Sequence, residues 1–229
     1  MHGYKPRPMF GDLPFQLYVL PVTELAQNCS ILRNKKSREA VLIDPGGEPE
    51  LLLAALAALK AKPVAIWLTH GHFDHVGGAA AIKEALNIPV IGPHEDDAWL
   101  VENVEEQGRF FGMPDPGRSI TPDRWLKEGD TLNFSGATFQ VRHCPGHTPG
   151  HVVLIDEAHK IGFLGDVLFK GSVGRSDFPR GDRAQLMASI RDKLLGLPDD
   201  FRFIAGHGEP STIGEERQNN PYIAEIVQG

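Results

Sequence analysis

Short apolar runs separated by turn residues extend along the first half of the chain and predict strands that give way to helices. Strands are expected over residues 15–23, 28–33, 40–43, 63–69 and 89–91. Helices are expected over residues 49–61, 78–86 and 95–107. The helix at 49–61 carries several leucines on one face, and the helix at 95–107 begins with carboxylates, which suit the positive end of a helix dipole.

The same plan returns after about residue 120. Strands are expected over residues 125–127, 131–134, 137–143, 152–155, 160–164 and 201–205. Helices are expected over residues 183–194 and 213–219. Because no linker separates the halves, the pattern predicts two sheets packed face to face with helices outside, an α/β fold of the four-layer αββα sandwich type. We expect one domain over residues 15–229, preceded by an N-terminal extension of residues 1–14.

The two predicted halves are joined by a loop rich in proline and glycine at residues 108–123. A long connection without structure of its own is often a lid or a binding loop. The alternative is that Phe110 and Phe111 pin this loop onto the body of the protein. The sequence favours neither interpretation.

Composition limits the classes of partner. The chain has 229 residues and a net charge of −7, which argues against nucleic acid or an acidic membrane as partner. No apolar run approaches the length of a membrane helix, and the N-terminus lacks the apolar core of a signal peptide. Cys29 and Cys144 lie far apart in sequence, so we expect two free thiols in the cytoplasm. A monomer or a small homo-oligomer is expected.

The most unusual stretch packs three histidines and an aspartate into residues 70–75 in the order His-x-His-x-Asp-His. Histidine and aspartate are costly to bury unless they are paired or coordinated, and together they suit divalent metals. Residues two apart on a helix point to opposite sides, so His70 and His72 would share an ion only on an extended or turning backbone. The spacing therefore predicts a metal-binding loop after the strand at 63–69, rather than a solvated histidine-rich loop.

Further candidate ligands follow other predicted strands, each flanked by glycine or proline. Ligand sites in α/β sheets gather beyond the carboxyl ends of strands. The complete candidate set is His70, His72, Asp74, His75, His147, Asp166 and His207. Five histidines and two carboxylates suffice for two metal ions.

These residues carry a resemblance. The stretch at 70–75, followed by a later His, an Asp and a final His, resembles the signature of the metallo-β-lactamase fold. Within that fold the chain is similar to the glyoxalase II group, and specifically to short bacterial hydroxyacylglutathione hydrolases without a C-terminal helical domain. The similarity extends from about residue 15 to 222 and includes the segments 28–30, 44–47, 165–169, 174–178, 206–212 and 216–221.

The resemblance implies a role for each candidate ligand. The first metal would be bound by His70, His72 and His147. The second would be bound by Asp74, His75 and His207, with Asp166 bridging the two ions. Zinc is the expected metal, although mixed nitrogen and oxygen ligands also suit iron or manganese.

The implied activity is hydrolysis of glutathione thioesters, with S-D-lactoylglutathione giving D-lactate and glutathione in methylglyoxal detoxification. The nucleophile would be a metal-bound hydroxide oriented by Asp74. Lys170 and Arg180 would contact the small anionic substrate, whereas Arg175 would form an internal ion pair with Asp177. The other histidines would lie at the surface or behind the ligands.

Three alternatives remain open. An iron-dependent persulfide dioxygenase shares the fold and the ligand set. A β-lactamase-like or lactonase activity would use the same metal centre. A metal-sensing or flavin-partner module is the non-enzymatic alternative.

Overall fold

The computed structural model describes residues 8–228, and the side chains of residues 8–225. The first sheet has five strands that lie side by side in chain order. They are β1 Phe15–Val22, β2 Gln27–Asn34, β3 Glu39–Ile43, β4 Lys62–Trp67 and β5 Val90–Ile91. The first three strands pair antiparallel, and β3, β4 and β5 pair parallel.

The second sheet has six strands in the spatial order β13-β12-β9-β8-β7-β6. They are β6 Thr131–Phe134, β7 Ala137–His143, β8 Val152–Asp156, β9 Ile161–Gly165, β12 Arg202–Ala205 and β13 Ser211–Thr212. The short strands β10 Leu168–Phe169 and β11 Ser172–Val173 form a separate hairpin. Strands β9 and β12 are parallel neighbours, so the loops that follow them emerge at the same edge of the sheet.

Successive side chains of the central strands enter different apolar clusters, which explains the layering. In β3, Ala40 and Leu42 face a cluster on the outer side of the first sheet, whereas Val41 and Ile43 face a cluster shared with the second sheet. Strand β8 divides its side chains in the same way between the shared cluster and a third, outer one. Because strand side chains alternate between faces, both sheets are covered on two sides and the αββα sandwich is confirmed.

The helices cover the outer faces of the sheets or lie among the connecting loops. They are α1 Pro49–Ala58, α2 Phe73–Val76, α3 Ala79–Leu86, α4 Ala98–Val101, α5 Val104–Phe110, α6 Arg183–Lys193, α7 Ile213–Asn219 and α8 Pro221–Gln228, with a 3₁₀ turn at Glu95–Asp97. None of the helices within residues 8–228 is long and apolar enough to cross a membrane.

Several predicted elements differ from the structure. The helix expected over residues 95–107 is broken into the 3₁₀ turn, α4 and α5, and α5 continues to Phe110 into the segment expected to be a loop. Residues 125–127 form no strand, although Leu126 is fully buried and donates its N–H to the Pro93 carbonyl. The histidine-rich stretch is a loop only up to His72, because residues 73–76 form the single turn of α2.

The connection at residues 111–123 is held to the body at several points. The ring of Phe111 stacks on Phe73 with a centroid separation of 5.2 Å, and the N–H of Ile120 bonds to the Val101 carbonyl. Phe110, by contrast, is 83% exposed. Residues 113–117 also line a cavity of about 720 Å³ whose other walls include Phe73. The loop is therefore pinned by Phe111 and also lines a cavity, so it combines features of both expectations.

Candidate metal centre

All seven candidate ligands meet at one end of the two sheets. They lie on the segments that follow β4, β7, β9 and β12, with Asp74 and His75 on the single turn of α2, as expected for side chains that come after strands. The structure divides them into two groups of three with Asp166 between the groups. We call His70, His72 and His147 half-site one, and Asp74, His75 and His207 half-site two.

Half-site one consists of three imidazoles. One nitrogen from each ring lies within 4.8 Å of the nitrogens of the other two. Nδ1 of His72 and Nε2 of His147 are only 2.9 Å apart. The other ring nitrogen of His147, Nδ1, lies 2.6 Å from the backbone carbonyl of Arg175 and donates to it, which leaves Nε2 as a free lone pair facing His72. The rings therefore present lone pairs to a common point.

Half-site two mixes one carboxylate with two imidazoles. Nε2 of His207 lies 3.2 Å from Oδ2 of Asp74, and Nε2 of His75 lies 3.9 Å from the same oxygen. The His207 side chain is 30% exposed, whereas His75 is fully buried. Nδ1 of His207 bonds to the carbonyl of Leu25, so Nε2 is directed inward. Two of the three members of half-site two are partly exposed, against one of three in half-site one, so half-site two is the group more open to solvent.

Asp166 lies between the two half-sites. Its Oδ1 is 3.3 Å from Nε2 of His75, and its Oδ2 is 3.6 Å from Nε2 of His147 and 3.7 Å from Nε2 of His207. A side chain at Gly206 would put its Cβ 2.1 Å from Oδ1 of Asp166, so glycine is required where β12 ends against this carboxylate. The geometry brings Asp166 to both half-sites.

The residues fit divalent metal ions. Nε2 of His70 is buried and has no hydrogen-bond partner among the described residues, and Nε2 of His75 and Oδ1 of Asp166 are buried and make no regular hydrogen bond, facing each other at 3.3 Å. Unpaired buried polar atoms are costly and rare, and here all three point into the same group of ligands. Imidazole nitrogens with a small number of carboxylate oxygens are the donor set that zinc and similar ions accept.

Electrostatics separate the two half-sites. Burial lowers the pKa of all three histidines of half-site one, to about 3 for His72 and well below 6.5 for His70. Their imidazoles also repel one another's positive charge. Half-site one is therefore neutral at pH 7, which is the form that binds a metal ion.

Half-site two has the opposite tendency. Burial alone would lower the pKa of His75, but the charges of Asp166 and Asp74 raise it well above 6.5. Burial likewise opposes protonation of His207, and the hydrogen bond with Asp74 raises the pKa of that imidazole. For Asp74 and Asp166, burial raises the pKa, but the neighbouring histidine charges hold both carboxyls below their usual range. Without a metal, half-site two is thus an array of charged pairs.

Asp44 and His151, which the sequence did not place among the ligands, hold several of them in position. Oδ2 of Asp44 accepts a hydrogen bond from Nδ1 of His75 at 2.9 Å, and both Asp44 oxygens accept from Thr69. His151 stacks on His70 with centroids 4.5 Å apart and accepts the N–H of Asp166 at 3.0 Å. Strand-end position alone did not reveal these contacts, although Asp44 follows β3 in an Asp-Pro-Gly-Gly corner.

The predicted substrate contacts, Lys170 and Arg180, both have exposed side chains. Lys170 pairs at 2.6 Å with Glu209, which lies two residues after His207. The guanidinium of Arg180 lies 4.6 Å from the ring of Trp99. Arg175 forms the expected ion pair with Asp177, at 2.8 and 2.9 Å. Lys170 is thus linked to the segment that carries His207 of half-site two, and Arg180 lies two residues after Phe178, whose ring is 5.1 Å from that of His72 in half-site one.

Comparisons with known proteins agree with this geometry. The family model described as the metallo-beta-lactamase superfamily matches residues 22–207. The chain is 45% identical over 206 residues to a protein of Haemophilus influenzae named hydroxyacylglutathione hydrolase GloC, and the match covers 90% of this chain and 96% of that protein.

Two solved structures are also similar. One is described as the BLEG-1 B3 metallo-beta-lactamase, with a TM-score of 0.83, 36% identity and coverage of 91% of this chain and 99% of the other. The other is TTHA1623 in a di-iron-bound form, with a TM-score of 0.78, 42% identity and coverage of 90% and 99%.

Proposed function

Because the chain belongs to the metallo-beta-lactamase superfamily and is a hydroxyacylglutathione hydrolase-like enzyme, we propose that it hydrolyses glutathione thioesters, with S-D-lactoylglutathione as the substrate. The observation that carries this proposal is the 45% identity to GloC across nearly the full length of both chains. The products would be D-lactate and glutathione, and this reaction would give the enzyme a role in methylglyoxal detoxification.

The seven candidate ligands would hold two divalent ions, three residues at each half-site and Asp166 between them. Such ions lower the pKa of water and polarise a carbonyl oxygen. Zinc is our first choice, and the di-iron form of TTHA1623 keeps iron as a second. Manganese also accepts this donor set.

Asp74 is the proposed catalytic side chain. Its pKa is held below the usual range by His75 and His207, so it is ionised at neutral pH and acts as a hydrogen-bond acceptor. Its side chain is 13% exposed, which lets water reach it. We propose that Asp74 accepts a hydrogen bond from the attacking water and directs it at the thioester carbonyl.

A thioester suits this site because a thiolate, whose conjugate thiol has a pKa of about 8.5, can leave before it is protonated and takes up its proton from solvent afterwards. The site then needs no general acid. The chain's own thiols do not supply the nucleophile, since Cys29 and Cys144 are fully buried and burial raises the pKa of both. Both are free thiols, which supports our proposal that the protein acts in the cytoplasm.

Lys170 and Arg180 are proposed to bind the carboxylates of the anionic substrate. Both side chains are exposed in a chain whose net charge is −7. Arg180 lies over the Trp99 ring and offers its charge to an anion, whereas Lys170 would exchange its pairing with Glu209 for a substrate carboxylate. The net charge of −7 argues against nucleic acid and acidic membrane surfaces, so neither is proposed as a partner. A monomer or small homo-oligomer remains our expectation.

The test is a pair of assays on protein stripped with chelator and reloaded separately with zinc, iron or manganese. One assay follows loss of the thioester of S-D-lactoylglutathione, and the other follows oxygen uptake with glutathione persulfide. We expect thioester loss, no oxygen uptake and about two metal ions per chain. A His72→Ala variant serves as the control for metal dependence.

Oxygen uptake by iron-loaded protein, with one iron per chain and no thioester loss, would contradict the proposal and support the persulfide dioxygenase alternative. Turnover of another thioester in preference to S-D-lactoylglutathione would still support a thioester hydrolase and would change only the proposed substrate.

A further inference from the structure

Asp97 is a fully buried carboxylate at the end of the 3₁₀ turn Glu95–Asp97. Its two oxygens accept three hydrogen bonds. Oδ2 accepts the N–H of Gly71 at 2.9 Å and the hydroxyl of Thr148 at 2.7 Å, and Oδ1 accepts the N–H of Gly150 at 2.6 Å. Few buried carboxylates are retained without several such partners, because burial penalises the charge.

The three donors belong to the two loops that carry half-site one. Gly71 lies between His70 and His72 on the loop after β4 of the first sheet. Thr148 directly follows His147 on the loop after β7 of the second sheet. A single side chain therefore connects ligand loops that come from different sheets.

The connection leaves little freedom in the spacing of the loops. A Cβ at Gly150 would lie 2.5 Å from the backbone nitrogen of Asp97 and 2.6 Å from Cγ of the same residue, so the second loop is in close contact with Asp97. The carbonyl of Gly150 also accepts the N–H of His94 at 3.1 Å. The segment 94–97 and the loop at 147–150 are thus fixed together, and Asp97 reaches from them to Gly71.

We infer that Asp97 is a positioning residue that sets the separation of the two loops of half-site one and thereby its metal affinity. The inference rests on the metal centre proposed above, but not on the identity of the substrate. Asp97 is not itself among the candidate ligands, because among the described residues its carboxylate belongs to none of the groups whose ligand atoms lie within 4.8 Å of one another.

Asparagine is the informative replacement, since it preserves shape but offers only one acceptor oxygen. In the Asp97→Asn variant the amide NH₂ group would face at least one of the three donors, which would lose its partner. Loss of outer-sphere contacts to a metal site commonly costs 10- to 100-fold in metal affinity. The variant should therefore hold one ion much more weakly, without changing the ligands themselves.

The experiment measures zinc binding by chelator competition, without substrate. In the otherwise unaltered chain, Asp97→Asn is expected to release one of two zinc ions at a chelator concentration at which the wild type retains both. Release of both ions together, or of neither, would overturn the inference.

Two backgrounds assign the ion. His207→Ala damages half-site two and leaves half-site one complete, whereas His147→Ala does the reverse. Asp97→Asn is expected to raise the zinc dissociation constant by about 10- to 100-fold in the first background and less than about 2-fold in the second. An equal loss in both would indicate general destabilisation and would overturn a positioning role.

Asp156→Asn is the matched control. Asp156 is also a buried carboxylate, but it accepts the N–H groups of Ala158 and His159 in the turn between β8 and β9. Its replacement should leave zinc affinity unchanged in every background. If Asp97→Asn does not fold, Thr148→Val removes one of the three donors and should weaken zinc several-fold in the His207→Ala background; an unchanged affinity would overturn the inference.

Because zinc affinity is measured without substrate, failure of the Asp97 inference can be distinguished from failure of the proposed function. A chain that binds two zinc ions but does not cleave S-D-lactoylglutathione would contradict the proposed substrate and leave the role of Asp97 intact. A chain that cleaves S-D-lactoylglutathione, but whose zinc affinity is unchanged by Asp97→Asn, would support the proposed substrate and contradict the role of Asp97.

Discussion

The two half-sites place the same residue type in opposite electrostatic surroundings. In half-site one, three imidazoles face one another and burial keeps them neutral. In half-site two, His75 and His207 face carboxylates that raise their pKa. Half-site one therefore offers lone pairs at neutral pH, whereas a metal ion at half-site two must displace protons. Neighbouring charge, and not the ligand type alone, decides how each half-site meets a cation.

The half-sites also differ in what holds them. Half-site two has Asp44 directly on the imidazole of His75, as carboxylates commonly support metal-binding histidines. Half-site one has Asp97 on the backbone and hydroxyl groups of its loops instead. One carboxylate orients a ring, and the other sets the distance between loops. Asp166 lies against histidines of both half-sites and joins them.

The largest effect is expected at Asp166. Replacing it with Ala removes the contact shared by the half-sites, so kcat/KM should fall by about 10³-fold, equivalent to about 4 kcal/mol. Metal content, measured alongside, should fall at both half-sites. Retention of one full equivalent with normal affinity would show that Asp166 serves a single half-site. The exposed Asp177, which pairs with Arg175, provides the control in an Asp177→Ala variant.

A smaller effect concerns the stability of the metal-free protein on acidification. The folded pKa of His72 is about 3, below the unfolded value of about 6.5, so the unfolded chain binds an extra proton below pH 6.5. The free energy of unfolding should therefore fall by about 2 kcal/mol from this histidine between pH 7 and pH 5. His70, His147 and His151 act in the same direction.

Half-site two and Asp97 oppose this loss. The pKa of His75 is raised, so its contribution is retained at low pH and is lost only as the pH rises. Burial raises the pKa of Asp97 to about 6, so the folded protein takes up a proton there on acidification and gains stability. Urea unfolding of the wild type and of His72→Gln, both with chelator, isolates the contribution of His72 to the pH dependence of the free energy of unfolding. The variant should lose about 2 kcal/mol less between pH 7 and pH 5, and equal losses would contradict the buried neutral state of His72.

Substrate binding provides a third test of the comparison, between a residue beside half-site one and a residue beside half-site two. Lys170→Ala, beside half-site two, and Arg180→Ala, beside half-site one, should each raise KM for S-D-lactoylglutathione by about 5-fold, or about 1 kcal/mol, because exposed charge pairs are weak. The kcat should change little. Arg191→Ala is the matched control, since Arg191 is an exposed arginine that pairs with Asp192 on α6. A rise in KM for one variant alone would place the substrate carboxylates on that side only.

The candidate ligands could be predicted from the sequence, whereas the residues that hold them in position could not. The reason is physical. Each candidate ligand follows a strand along the chain, so the local pattern is enough to propose it as a ligand. The bonds of Asp97 instead span 26, 51 and 53 positions along the chain. The acidic run at residues 95–97 was interpreted as the start of one helix, because carboxylates suit a helix N-terminus. In the structure the third of these carboxylates turns inward to the ligand loops, and the helix is broken there.

The smallest effect is expected at the two cysteines, one behind each half-site. The N–H of Cys144 bonds to the carbonyl of His151, which lies behind half-site one. Cys29 lies on β2, two residues after Gln27, and the Gln27 amide is 3.3 Å from His75 of half-site two. Burial raises the pKa of Cys144 to about 12, so it carries no thiolate at neutral pH. Cys29→Ala with Cys144→Ala should leave kcat/KM within about 2-fold, while each replacement lowers the free energy of unfolding by about 1 kcal/mol through lost packing. Loss of turnover with both metal ions still bound would mean that a thiol takes part in the reaction.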